Sequence, residues 1–340
     1  MTRVAGLDIG GANLKVAIAE KGVLADVRQV PCALWRGVDQ LELALTEVSG
    51  LIGKADVVRV TMTGELADVF PDRYTGVSRI VEVVVATLGP DVQFWMGRRG
   101  FGTASEAVAN HMDVASTNFV ASAVSVSARL PAQSGMLIDM GSTTTDLVAF
   151  ERGTAFPIEF TDAGRLASGE LVYTGLTRTP VMAVTTRGVV GGRWQTLARD
   201  PFATMADVYR ILGTLPDGAD QHRTADGRGV SLEESCARLA RCFGYDAGQE
   251  QGDIAMYRLA ARHIAEVQMH SIVEAYIQHL STLTDCGDLI VSAGIGSGIV
   301  AELARRAGAE HMAFADAMGV TGDLASVAGH CAPAVALALL

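Results

Sequence analysis

Two stretches of the chain place aspartate, small residues and hydroxyl-bearing residues in the same order. The first is LDIGGANLKVA, which begins at Leu7, and the second is IDMGSTTTDLVA, which begins at Ile138. They align without a gap when Asp8 is placed over Asp139. In each copy an apolar run ends in Asp and a second alternating run follows a few residues later, a pattern typical of strand, tight turn and strand.

A pair of such turns is suited to holding a polyphosphate. A strand that ends in Asp delivers a carboxylate to the edge of a sheet, and the glycine after it lets the backbone turn so that successive N–H groups face an anion. We expect Asp8 and Asp139 to bind hydrated magnesium, which keeps several waters and takes one or two carboxylates with phosphate oxygens. The two turns also offer donors for phosphate oxygens. These predicted phosphate-binding residues are Gly10, Gly11, Asn13, Lys15, Gly141, Ser142, Thr143 and Thr144.

A third turn, SAGIGSG, lies late in the chain between an apolar strand and a helical stretch. Its Gly294, Gly296 and Ser297 are predicted to let a ligand approach the helix N-terminus closely. Alone, each of the three turns is weak, because most such turns only reverse the chain or fit a helix to a sheet. Their combination with the Ala/Ser-rich run 116–130 before the second copy is much more specific.

The elements that must position these turns form two similar halves. Each half opens with the repeated hairpin and continues with helices and buried strands, so the fold class is α/β with two RNase H-like halves and a cleft between them. We predict a first half at 1–130 and a second half at 131–320 with helical insertions. The apolar tail, 321–340, is predicted to pack back on the first half as a helix. The polar segment 214–230 is predicted to be a surface loop.

Composition narrows the function classes. The 340 residues, 49% apolar, carry a formal net charge of -11 and no basic cluster, which argues against a nucleic-acid binder. No uncharged apolar run approaches about eighteen residues and no basic-then-apolar leader opens the sequence, so we expect a cytoplasmic protein without a membrane partner. The five cysteines show no C-x-x-C pair and are read as reduced and mostly buried. The oligomeric state is left open.

In their order along the chain, the three turns resemble the phosphate 1, phosphate 2 and adenosine motifs of the actin, hexokinase and heat-shock ATPase superfamily. The resemblance covers essentially the whole chain. The stretch GELVYTGLTRTPV (Gly169 to Val181) is similar to the hydantoinase A and oxoprolinase branch. Together with FATMADVYRILG, TADGRGVSLEESCARLAR, GLDIGGANLK and TMTGEL, it resembles the synthases of methanofuran biosynthesis, a pathway linked to tetrahydromethanopterin.

That resemblance implies a definite reaction. Such synthases join gamma-glutamyltyramine to the diphosphate of 5-(aminomethyl)-3-furanmethanol, forming an aryl ether and releasing pyrophosphate. The nucleotide cleft of the superfamily would then hold a diphosphate leaving group. Magnesium and the donors of the turns would stabilise the negative charge that grows on the departing pyrophosphate.

The reaction also needs a base for the phenol proton. Glu65 in TMTGEL is the first candidate because it follows a buried strand expected to end beside Asp8; Asp146 is the second. The competing interpretation of Glu65 is a charge at a helix N-terminus. Glu170 and Arg178 are predicted to bind the glutamyl carboxylates, and a structural ion pair between them is the alternative.

Two departures from the superfamily pattern weaken ATP binding more than diphosphate binding. Leu14 stands where a threonine is frequent, and Ala293 and Ile295 surround Gly294 in the third turn. ATP is therefore a conceivable but not favoured occupant. Two other functions stay open: an ATP-dependent kinase or amide-activating enzyme of the oxoprolinase kind, and an ATP-regulated binding protein, for which the chain has little room.

Overall fold

A computed structural model describes residues 2–221, 223–246, 254–284 and 287–340. The first half is built on one sheet with helices on its faces. Its strands are β1 (Arg3–Ile9), β2 (Asn13–Glu20), β3 (Val23–Pro31), β4 (Val57–Met62), β5 (Gln93–Trp95) and β6 (Phe101–Gly102). Its helices are α1 (Asp39–Ile52), α2 (Arg73–Leu88), α3 (Ala104–Ala109), α4 (His111–Val114) and α5 (Asn118–Arg129).

The second half repeats this plan around a second sheet. Its strands are β7 (Ser134–Met140), β8 (Thr145–Glu151), β9 (Thr154–Ala155), β10 (Leu171–Val172), β11 (Arg187–Val190), β12 (Arg193–Thr196), β13 (Leu289–Ala293) and β14 (Glu310–Ala313). Its helices are α6 (Asp162–Ser168), α7 (Val181–Val184), α8 (Met205–Leu212), α9 (Leu232–Cys242), α10 (Ile254–Leu280) and α11 (Ser297–Ala307). The chain then ends in α12 (Phe314–Ala317), α13 (Leu324–His330) and α14 (Ala332–Leu339).

Strand order shows that the two halves share one topology. The first sheet runs β3-β2-β1-β4-β5-β6 and the second β10-β8-β7-β13-β14, with β9 paired to β8. In each sheet the opening hairpin is antiparallel, and the next long strand, β4 or β13, lies parallel to the first strand. These are two RNase H-like sheets, and the predicted α/β fold class is confirmed.

The duplication extends to the second turn of each half. Lys21 and Gly22 join β2 to β3, and Arg152 and Gly153 join β8 to β9, all four with positive φ. Two-residue hairpin turns of this kind match the right-handed twist of the strands they connect.

Helices α5 and α14 lie between the sheets and contribute to a core shared by both halves. That core joins Ala17 of β2 to Phe150 of β8 through α5 and α14. At Gly6 a Cβ atom would collide with the backbone of α14, so the tail helix lies directly on β1. The tail is thus helical and packed on the first sheet, although it is broken into α13 and α14 at Cys331.

The segment 214–230 is more firmly held than its polar composition suggests. Arg238, which has no exposed surface, binds Asp207 in α8 at 2.7 Å and Asp226 in this segment at 3.2 Å. Gln29 of the first half donates to Gln221 at 3.0 Å, so the segment also reaches across to β3. Among the described residues no helix is long and apolar enough to cross a membrane.

Candidate active site

The two aspartate turns close with the same hydrogen bond. The N–H of Gly10 donates to the carbonyl of Asn13, and the N–H of Gly141 donates to the carbonyl of Thr144, both at 2.9 Å. Neither glycine has positive φ, and neither does Gly11. Both turns therefore form without a left-handed glycine. A Cβ at Gly11 would meet nothing within 4 Å, which leaves open space beside the first turn.

The next N–H groups in both turns point away from any protein acceptor. Within the described ranges, the N–H groups of Gly11 and Ala12 in the first turn, and of Ser142, Thr143 and Thr144 in the second, make no hydrogen bond. Successive unpaired N–H groups form a concave donor site for an anion. The two turns therefore have the donor pattern that a diphosphate needs.

Asp8 and Lys15 face each other across β1 and β2 at the start of the site. The Nζ of Lys15 lies 3.6 Å from Oδ2 of Asp8, and Oδ1 of Asp8 is buried without a partner. Burial raises the pKa of Asp8, although Lys15 and the side chain of Asn118 act against this rise. Burial disfavours the charge on Lys15, but the carboxylates of Asp8 and Asp139 outweigh it and raise the pKa of Lys15.

Asp139 occupies the equivalent position in the second half, with Asp146 directly across from it. Burial and the neighbouring carboxylate of Asp146 raise the pKa of Asp139 to about 7, while Lys15 lowers it. Asp146 forms an ion pair of 2.7 Å with Arg165, a residue that is 2% exposed. Because Oδ1 of Asp146 is engaged by this buried guanidinium, Asp146 is a weaker candidate for the general base than Glu65.

The residues present fit a hydrated magnesium ion. Asp8 carries a buried oxygen with no partner, and the raised pKa of Asp139 shows that its negative charge is not fully compensated. No group of three or more His, Cys, Asp or Glu side chains that could hold a metal directly occurs in the part of the chain that the structure describes. Two carboxylates with water in between therefore match the chemistry of magnesium better than a closed protein cage.

The backbone of residues 174–178 packs against the second aspartate turn. The N–H groups of Thr177 and Arg178 both donate to the carbonyl of Ser142, at 3.1 and 2.8 Å. A Cβ at Gly175 would lie 2.5 Å from the backbone nitrogen of Thr143, so only glycine permits this contact. The side chain of Arg178 is exposed and has no ion pair to a described residue, while its backbone lies against the second turn.

The third turn differs from its predicted role. The N–H of Gly294 donates to the carbonyl of Gly329 and that of Gly296 to the carbonyl of Met140, both at 2.9 Å, and the N–H of Ser297 donates to the carbonyl of Gly294. These backbone donors are therefore not available to a phosphate. The two glycines instead allow close packing, since a Cβ at either would collide with Met140.

Glu65 lies in a short 3₁₀ turn directly after β4, the strand that pairs with β1. Its side chain is 1% exposed; Oε1 accepts a hydrogen bond of 2.7 Å from Ser116, and Oε2 is buried without a partner. Burial raises the pKa of Glu65 to about 7 against the hydrogen bond from Ser116. Gly64 brings this turn next to the first aspartate turn, because a Cβ there would lie 3.2 Å from the carbonyl oxygen of Ile9.

Glu170 does not have the environment of a substrate-binding residue. It is 1% exposed, and its two oxygens accept hydrogen bonds from the backbone N–H groups of Ile158 and Glu159 at 2.7 and 2.8 Å. The predicted contact with a glutamyl carboxylate is therefore corrected: Glu170 anchors the chain before α6. Its predicted alternative, an ion pair with Arg178, is not formed either.

The structure adds three residues that the sequence patterns did not reveal. Ser116 contacts Glu65, Asn118 acts on Asp8, and Arg165 pairs with Asp146. Ser116 and Asn118 lie at the start of α5. The sequence signal that could have indicated them is the polar beginning of a helix whose other residues are mostly small and apolar. Arg165 gave no signal, because its role depends on α6 folding back over β8.

Comparison with known proteins agrees with this geometry. The hydantoinase/oxoprolinase family matches residues 56–333. The chain belongs to this family. The chain is 32% identical over 250 residues to the (4-{4-[2-(gamma-L-glutamylamino)ethyl]phenoxymethyl}furan-2-yl)methanamine synthase of Methanocaldococcus jannaschii, covering 74% of each chain. The synthase of the same name from Methanococcus vannielii is 25% identical over 167 residues, covering 48% of this chain and 72% of that one.

Among solved structures, the nucleotide-free acetone carboxylase superposes with a TM-score of 0.57 at 8% identity, covering 98% of this chain and 70% of that chain. At this identity the likeness concerns the fold alone. This hydantoinase/oxoprolinase family member has a two-lobed α/β fold built on two RNase H-like sheets. Both relatives carry the name of the same synthase, whose product is a phenoxymethylfuran methanamine.

Proposed function

We propose that this protein joins gamma-glutamyltyramine to 5-(aminomethyl)-3-furanmethanol diphosphate and releases pyrophosphate. The observation that carries the proposal is the 32% identity to a synthase whose name describes the corresponding phenoxymethylfuran product. The paired turns support it, because their unpaired N–H groups and the adjacent aspartates form a site for a diphosphate.

The diphosphate would be held by donors from both halves. The N–H groups of the two aspartate turns bind its oxygens together with the ammonium of Lys15, and Arg178 keeps its predicted role of binding the glutamyl carboxylates. Asp8 and Asp139 would hold magnesium through water, and when bound the ion supplies positive charge to the leaving group. These interactions strengthen as charge grows on the departing pyrophosphate, so they favour the transition state over the bound substrate.

Ether formation exchanges one carbon–oxygen bond for another and transfers the phenol proton. The bond between the furan methylene and the diphosphate oxygen breaks, and the electron pair leaves with pyrophosphate. The phenol oxygen forms the new bond to the methylene, and its proton passes to Glu65. A carboxyl with a pKa of about 7 is matched to this task near neutral pH, whereas an ordinary glutamate is a weaker base.

The role of Glu65 is tested by varying the acidity of the phenol. Glu65→Gln should keep diphosphate binding but slow ether formation by about a hundredfold or more, the usual scale for a positioned base. Acceptors whose ring substituents lower the phenol pKa arrive already ionised and should recover part of the rate. Equal slowing of all phenols would contradict a base role for Glu65 and transfer the role to another carboxylate.

The second candidate function is an ATP-dependent kinase or amide-activating enzyme of the oxoprolinase kind, which the family membership favours. The third turn does not favour ATP binding, because the backbone N–H groups of Gly294, Gly296 and Ser297 already form hydrogen bonds within the protein. ATP turnover in the absence of the furan substrate is the observation that would favour this alternative.

A further inference from the structure

Ser116 has a left-handed backbone conformation outside any hairpin turn. In the described part of the chain, three residues other than glycine have positive φ: Lys21, Ser116 and Arg152. Lys21 and Arg152 belong to the two-residue hairpin turns, which require this conformation. Ser116, with a φ of 53°, lies instead between α4 and α5. A left-handed serine is strained and persists only where the surrounding structure enforces it.

The segment around Ser116 is fixed on both sides. Ala115 forms a β-bridge with Met62 at the end of β4. The hydroxyl of Thr117 donates to the carbonyl of Val114 at 3.0 Å, and the indole N–H of Trp95 donates to the carbonyl of Thr117 at 3.2 Å. These contacts hold the chain in the conformation that turns the Ser116 hydroxyl towards Glu65.

Ser116 binds only one of the two carboxylate oxygens of Glu65. The hydroxyl of Ser116 is 2.7 Å from Oε1 of Glu65 and occupies that oxygen, while Oε2 stays buried with no partner. Ser116 is 8% exposed and Glu65 is 1% exposed, so water does not compete for this bond. One carboxylate oxygen is therefore fixed, and the other is left free to accept a proton.

We infer that Ser116 is a positioning residue that orients the Glu65 carboxylate by binding Oε1 and leaving Oε2 without a partner. The inference rests on the proposed base role of Glu65. Because the hydroxyl donates to the charged carboxylate, its loss makes ionisation harder. Two other charged groups face Glu65: Asp162 from α6, which disfavours its ionisation, and Arg73 from α2, which favours it. These two pair with each other at 2.7 Å, so they form a fixed background against which Ser116 acts.

Two substitutions separate the hydroxyl from the backbone. Ser116→Ala removes the hydroxyl and keeps the cost of the left-handed conformation, whereas Ser116→Gly removes both. A positioning role predicts that both variants shift the acid limb of the rate profile upwards by about one pH unit, with a larger change in kcat than in KM. A purely structural role predicts that Ser116→Ala and Ser116→Gly differ only in stability, with the profile unmoved.

The pKa of Glu65 can also be measured without any turnover. Carbon NMR of the labelled Glu65 carboxyl in the full chain should show a higher pKa in Ser116→Gly than in the unaltered protein; an unchanged pKa would overturn the inference. In a Glu65→Gln background, Ser116→Gly should cause no further loss of rate. If Glu65→Gln itself turned over normally while the pKa still moved, the proposed base role would fail and the orienting contact would stand.

Discussion

Lys15 and Asp146 occupy the same position in the two copies of the hairpin, each directly across from an aspartate, and they carry opposite charges. In the first half this position supplies a cation, which lies 3.6 Å from Asp8. In the second half it supplies a second carboxylate, which raises the pKa of Asp139 and is itself paired with Arg165. The duplicated hairpin is therefore asymmetric: a cation lies opposite the first aspartate and a second carboxylate lies opposite the other.

Asp8→Asn and Asp139→Asn should each lose most of the activity while the fold survives. Both carboxylates are assigned to metal-bound water, and Asn keeps the size and polarity of the aspartate side chain. The measurement is the rate of pyrophosphate release at saturating magnesium, with circular dichroism to check the fold. Asp91→Asn, at an exposed residue, is the matched control and should behave as the unaltered protein. Near-normal turnover by either site variant would contradict the shared metal site.

Gly175→Ala should impair diphosphate binding without touching the ligand. The added Cβ would lie 2.5 Å from the backbone nitrogen of Thr143, so the second aspartate turn must shift. We expect KM for the furan diphosphate to rise about tenfold or more, since small displacements of positioning groups are costly. Gly50→Ala in α1, where a Cβ meets nothing within 4 Å, should leave KM unchanged. A KM that does not respond to Gly175→Ala would show that this turn does not bind the diphosphate.

Glu65→Gln should change stability in a direction set by pH. The pKa of Glu65 rises from 4.5 to about 7 on folding, so between these values the folded state keeps a proton that the unfolded chain has released. The free energy of unfolding therefore falls as pH rises through this range. Gln cannot ionise, so the variant should gain Tm relative to the unaltered protein at pH 8 and lose that gain towards pH 5. Exposed Glu47→Gln should show no such trend, and a gain that does not depend on pH would speak against a raised pKa.

Much of the fold could be predicted because periodicity and turn residues are local signals. The repeated hairpin placed Asp8 and Asp139 at corresponding strand ends, and the buried strand after it placed Glu65 beside the first turn. The sequence does not predict short elements such as the β11–β12 hairpin and α6. Each has only a few residues and no clear apolar pattern, so hydrophobic periodicity cannot indicate its type.

The errors concern residues whose roles depend on distant partners. Glu170 belongs to the stretch GELVYTGLTRTPV, which was expected to contact the substrate. Its carboxylate instead accepts hydrogen bonds from backbone N–H groups of the loop before α6. Gly294 and Gly296 have the spacing of a ligand-binding turn, but tertiary contacts with Met140 and Gly329 use their donors. A single sequence shows which donors exist and does not show which of them the fold has already paired.

Pyrophosphate with magnesium should raise Tm more than ATP does at the same concentration. A ligand that binds only the folded state stabilises it by mass action, so Tm reports relative affinity. The aspartate turns offer N–H groups to a diphosphate, whereas the backbone N–H groups of Gly294, Gly296 and Ser297 in the third turn are already used within the protein. Differential scanning fluorimetry with each ligand, and with magnesium alone as the control, makes the comparison. A much larger shift with ATP would favour the kinase or amide-activating alternative.

The central claim is tested most directly by incubating the full chain with gamma-glutamyltyramine, the furan diphosphate and magnesium, without ATP. Mass spectrometry then measures the ether, and an enzyme-coupled assay measures pyrophosphate. The account predicts one pyrophosphate for each ether formed. It also predicts that Asp8→Asn and Asp139→Asn form the ether far more slowly than the unaltered protein. Pyrophosphate or phosphate release without ether, or ether formation that requires ATP, would contradict it.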